Sequence, residues 1–131
     1  MIPVGDLKKI AKGRLLDADA LFQSGRYDGA IYLCGYAVEI ALKARICRIL
    51  KWTGYPSTRK EFEGYQSFRT HDLDILLHLS GAESNIKTKY FAEWSVVATW
   101  KSDMRYRPIG SATAQDAMDM LKSAKTIVVA L

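Results

Sequence analysis

The stretch "LLDADALFQSGRYDGAIYLCGYAVEIALKA", residues 15–44, decides the fold. Upstream of its middle, Leu7, Ile10, Ala11, Leu15, Ala18, Leu21 and Phe22 fall on one helical stripe, which predicts a helix from Asp6 to Ser24. Gly25 stands where such a helix ends. Downstream, Ile31, Cys34, Val38, Leu42 and Ile49 form a second stripe, which predicts a helix from Tyr27 to Leu50. Ala30, Ala37, Ala41 and Ala44 beside it allow close approach of a neighbour. A connection this short makes the two helices an antiparallel hairpin.

One residue breaks the apolar pattern. Glu39 stands among Val38, Ile40, Ala41 and Leu42. A carboxylate so placed needs a cation or several donors, because an unpaired buried charge is costly. Arg14 lies inside the first stripe, eleven residues before Gly25, and Glu39 lies thirteen after Arg26. Antiparallel pairing brings them nearly level, so an Arg14–Glu39 pair that fixes the hairpin's register is expected. The alternative is a functional carboxylate facing a cleft. Lys43, four residues on, would offer only an exposed pair worth ~0.3–0.5 kcal/mol.

The remainder also reads as helix and loop. "KWTGYPSTRKEFEGYQSFRT", 51–70, has no clear period and reads as a long loop with at most a helical turn. "THDLDILLHLSG" opens a short helix at Thr70 or His71, and Gly81 ends it. A further helix spans about Asn85 to Trp100, with Ile86, Tyr90, Trp94 and Val97 inward. "KSDMRYRPIGS" is an irregular connector. The last helix begins near Thr113, where Thr113 and Asp116 stand at capping-box spacing. No strand signal is present. The expected fold is all-α: an antiparallel up-and-down bundle of four main helices plus a short helix, one domain over 1–131.

Composition agrees. At 131 residues the chain suits one domain, and 49% hydrophobic with 25% charged content is that of a globular protein. No apolar run reaches the ~18–20 residues of a membrane span, and "MIPVGDLKKI" lacks a leader's basic and apolar regions. A cytoplasmic protein is expected. Cys34 and Cys47, about 20 Å apart along one helix, read as reduced packing residues. The net charge of +5 permits a nucleic-acid or acidic partner without establishing one, since the basic residues are scattered. Ile40, Ala44 and Cys47 lie outside the second helix's stripe, Trp52 follows that helix, and Phe91, Val96 and Trp100 lie outside the fourth helix's stripe. So much apolar surface in a short chain predicts a self-association face, a homodimer.

Chemistry is sparse. The only histidines, His71 and His78, share one short helix. No zinc-protease, nucleophile-elbow, phosphate-loop or dinucleotide motif occurs. No metal, cofactor or catalytic residue is assigned. Arg105 and Arg107 flank Tyr106 in "DMRYRP", an arrangement able to hold phosphate and stack a base. The alternative is that Arg105 pairs inward with Glu39 or an aspartate while Tyr106 packs. Candidate ligand or phosphate residues are Arg105, Tyr106, Arg107, His71 and Glu39.

Together these segments resemble the HEPN family. The resemblance rests on Leu21, Gly25, Tyr27 and Ala30; on Ala37, Glu39, Leu42, Lys43 and Ala44; on His71, Asp72 and Leu73; and on Arg105 with Tyr106, spanning about 14 to 125. It implies a helical bundle and, as in many members, dimerisation, RNA cleavage, and pairing with a small nucleotidyltransferase in a toxin–antitoxin or stress system. Cleaving members are similar in carrying a histidine four to six residues after the arginine. Here Tyr106, Arg107, Pro108, Ile109, Gly110, Ser111 and Ala112 follow Arg105, and no histidine follows at any distance. The expectation is a non-catalytic protein that binds a nucleotidyltransferase-type partner, a nucleotide or RNA, without crossing a membrane. The rival is a metal-independent ribonuclease using Arg105, Glu39 and His71.

Overall fold

The computed structural model describes residues 1–131. α1 runs Val4–Gln23 and α2 runs Tyr27–Leu50. Between them Gly25 takes φ +73°, a left-handed turn that costs glycine little. The Arg26 amide then donates to the Leu21 carbonyl at 2.8 Å, closing the end of α1. The expected hairpin forms, and α1 and α2 pack along their length.

α2 is the central helix. Its buried residues include Cys34, Ala37, Val38, Ile40, Ala41, Leu42, Ala44, Ile46 and Cys47, which occupy nearly its whole circumference. α1, α3 (Leu73–Leu79) and α6 (Ala114–Ala130) pack around it. Of the residues expected to need a second copy, Ile40, Ala44, Cys47 and Trp100 are 7%, 4%, 0% and 3% exposed in one chain, Trp52 and Val96 are part-buried, and Phe91 stays 68% exposed. Three neighbouring elements cover faces that a hairpin alone would leave bare.

The expected fourth helix is two. α4 covers Glu83–Lys89 and α5 covers Phe91–Val97, with Tyr90 at φ −128° and ψ 37° between them. No Gly or Pro stands there, so packing sets the bend rather than local propensity. Ile86 and Trp94 are buried on either side of it, and the Trp94 indole N–H donates to Asp74 at 3.1 Å. The 51–70 segment is more ordered than its composition suggests. β1 (Ile2–Pro3) pairs antiparallel with β2 (Gly54–Tyr55), and a 3-10 turn covers Gln66–Phe68. Trp52, Tyr55, Phe62, Tyr65 and Phe68 form a chain of ring contacts that holds this segment on the bundle. The fold is all-α apart from that two-residue pairing.

Two caps match the chain's chemistry. Thr113 and Asp116 bond each other's backbone amides at 3.1 and 3.0 Å, the expected capping box of α6. α3 is capped by Asp72, which accepts from the Ile75 amide at 3.1 Å, one or two residues later than expected. Thr70 instead turns its hydroxyl to the Asp72 amide. No helix is long and apolar enough to cross a membrane.

Candidate functional site

Glu39 does not pair with Arg14. Its side chain is 2% exposed, and its carboxylate meets Lys43 Nζ at 3.0 Å and His71 Nδ1 at 3.0 Å. Arg14 stays half-exposed and forms its ion pair with Asp17 at 3.6 Å. The start of α3, with Lys43, occupies the positions around the carboxylate. Lys43 is 15% exposed and makes a sheltered pair, not the exposed one its spacing suggested.

The His71 contact fixes a proton. A carboxylate oxygen only accepts, so Nδ1 carries hydrogen and donates to Glu39. In the neutral ring Nε2 is then the free acceptor, on a side chain that is 61% exposed. A buried carboxylate thus orients a solvent-facing imidazole, an arrangement suited to accepting or returning a proton.

Aromatic side chains continue the site. Tyr32, Tyr36 and Trp100 meet with ring centroids 5.9–6.4 Å apart. Gly35 makes room, because a Cβ there would fall 2.1 Å from the Trp100 ring. The Trp100 indole donates to the Tyr32 carbonyl at 3.1 Å. Burial raises the Tyr36 pKa, Glu39 and Tyr32 add to the rise, and Arg105 and Arg14 oppose it. Tyr36 therefore senses both Glu39 and Arg105.

Arg105 lies in a 3-10 turn over Ser102–Tyr106. Its guanidinium sits 4.8 Å from the Tyr106 ring centroid and pairs with no carboxylate. Its Nη1 donates to the Ser102 carbonyl at 3.4 Å, and the neighbouring side chains of Tyr106, then Tyr32, raise its pKa. It does not turn inward to Glu39. A groove of about 380 Å³ joins His71 and Trp100 to Ser102 and Asp103 at the foot of this turn. Arg107 lines a separate cavity with Asp28, Thr99 and Asp116, so the two arginines do not close on one phosphate. Tyr106 is 76% exposed, free to stack rather than packed.

Two residues that support the site carried no motif. The Asp28 carboxylate accepts from the Gly110 and Ala112 amides at 2.6 and 2.9 Å, pinning the connector that carries Arg105. Tyr55, 1% exposed, donates its hydroxyl to the Phe68 carbonyl at 2.5 Å, three residues before His71. Lys43 Nζ lies 5.2 Å from the Tyr55 ring centroid, so Tyr55 backs both partners of Glu39. Only an aspartate in the first turn of a helix hinted at Asp28. Nothing in the sequence around Tyr55 marks it.

The family model for the HEPN domain matches residues 4–60. Over that span the chain is similar to the HEPN domain. The match takes in the α1–α2 hairpin with Glu39 and Lys43, and His71 and Arg105 lie beyond its end. No curated protein and no solved structure matches the chain.

Proposed function

We propose that this HEPN-like protein binds RNA through the face shared by Arg105, Tyr106 and His71, as one domain acting with a protein partner rather than as an enzyme. The observation that carries the reading is Arg105: a guanidinium without a carboxylate partner, lying on an exposed tyrosine in the turn whose first residues, Ser102 and Asp103, line the groove that reaches His71. A cation beside an exposed ring suits phosphate and base together. The HEPN match supports a nucleotide- or RNA-related role. The family resemblance supports a cytoplasmic homodimer, a small nucleotidyltransferase as partner, and a toxin–antitoxin or stress system.

A second reading has its own observation. The Glu39–His71 contact is what a metal-independent ribonuclease requires of its base. His71 Nε2 would take the proton of a 2′-hydroxyl, and the 2′-oxygen would attack phosphorus. The bond to the 5′-oxygen would break, leaving a cyclic phosphate, with Arg105 offsetting the added negative charge. The leaving oxygen needs an acid as well, and no second histidine stands beside Arg105.

The test uses a labelled single-stranded RNA of about ten nucleotides, titrated at several salt concentrations. Binding should weaken steeply with salt and by about tenfold in Arg105→Gln, which is about 1.4 kcal/mol. The RNA should stay intact. Absence of binding would defeat the RNA reading. Cleavage that resists chelator and vanishes in His71→Ala would establish the ribonuclease reading instead.

A further inference from the structure

Four cations surround a small apolar groove where α1 begins and α2 and α6 finish. Lys8 and Lys12 stand one turn apart on α1, and Arg45 and Arg48 stand at one end of α2. Between them lies a floor of Ala11, Ala41, Ala44 and Val128, enclosing about 170 Å³. None of the four pairs with a side-chain carboxylate. The chain's ion pairs fall instead on Glu39, Asp17, Glu61 and Glu83.

The arginines are held in place by main-chain oxygens. Arg45 donates to the Ser80 carbonyl and to the main-chain oxygen of Leu131, the last residue, at 3.2 Å each, and Arg48 donates to the same Leu131 oxygen at 2.8 Å. Two guanidiniums share one acceptor, and both lysines are left unanswered. Burial, and then the neighbouring Arg48, lower the Arg45 pKa, as like charges held together should. The complement of such a rim is anionic.

The floor decides which anion. It is aliphatic, with no aromatic ring among its lining residues and so no platform on which a base could stack. It has room for an aliphatic side chain, and its rim is set for carboxylates on either side. We propose that this groove docks an acidic amphipathic segment of a partner protein, with one aliphatic side chain on the alanine floor and flanking carboxylates on Lys8, Lys12 and Arg48. The groove shares no lining residue with the one at His71, so this inference stands independently of the RNA reading.

The experiment is an amide-resolved NMR titration of the whole chain with a capped Glu-Glu-Leu-Glu-Glu peptide. Shifts should cluster over Lys8–Lys12 and Ala41–Arg48, with a dissociation constant on the order of 1 mM for so short a peptide. The Lys8→Gln/Lys12→Gln double variant removes two side chains that form no ion pair and should bind about tenfold more weakly. Replacing the peptide's leucine with serine should weaken binding to a similar degree. The proposal fails if no shifts gather there at about 10 mM peptide, or if either substitution leaves the affinity unchanged. It fails equally if a single-stranded oligouridylate shifts these amides more than the peptide does, which would make the groove a nucleic-acid site.

Discussion

Glu39 is the residue on which the candidate site turns, and its energetics are lopsided. Its carboxylate is 2% exposed, whereas Lys43 and His71 are 15% and 61% exposed. Removing the lysine strands a buried charge with one exposed partner, whereas removing the carboxylate lets both partners turn toward water. Lys43→Met should therefore cost on the order of 3 kcal/mol, and Glu39→Gln about 1 kcal/mol. Arg14→Ala should cost under about 1 kcal/mol, because its pair with Asp17 is solvent-screened. Urea midpoints of the three variants check this order, and an Arg14 variant as weak as the Lys43 variant would restore the cross-hairpin pair. The oddness of Glu39 was legible from its neighbours, but its partner was not. His71 lies 32 residues further along, beyond a segment whose course depends on ring packing that has no periodic signal.

At the scale of elements, the sequence revealed the three long helices, the Gly25 turn after α1 and the capping box of α6, and periodicity failed where packing overrides local preference. The run from Asn85 to Trp100 keeps helical spacing through Tyr90, yet the chain bends there. The pairing of Ile2–Pro3 with Gly54–Tyr55 is too short to alternate, so no strand pattern could announce it. Tyr55 shows the consequence for the site. Its hydroxyl holds the Phe68 carbonyl, so Tyr55→Phe should cost about 1 kcal/mol and speed amide exchange over residues 66–71. RNA affinity should fall with it, because His71 follows directly; unchanged exchange there would show that the rings alone position the segment. The α6 cap makes a prediction about pH. Hydrogen bonds from Thr113, backbone first, hold the Asp116 carboxyl below its ordinary 3.8. The cap's contribution is then complete above 3.8 and is lost as pH falls through the lower folded value. In acid the first turn of α6 should lose amide protection before its middle does, and Asp116→Asn should remove most of that pH dependence.

For the whole molecule, the apolar surface expected to demand a second copy is largely absent, because α2 is covered on nearly every side by its own chain. The apolar residues left outside are mostly scattered, as on ordinary monomer surfaces. The connector differs: Tyr106, against Arg105, and Ile109, three residues further on, are 76% and 91% exposed. A two-fold contact centred there would bury both and bring two Arg105 side chains, each with its own His71, to one surface. Such a pairing would give a single RNA strand two cationic anchors and supply the second imidazole that one copy lacks. The homodimer proposed here should accordingly depend on the connector and not on α2. Ile109→Asp should convert a dimer seen by sedimentation at about 50 µM into a monomer, and weaken RNA binding beyond what one added charge explains. The helical signal should be unchanged, since Ile109 packs against nothing in its own chain that burial would register. A dimer that survives Ile109→Asp and Tyr106→Ala together would place the contact elsewhere, and a wild-type monomer at that concentration would leave each site with a single histidine.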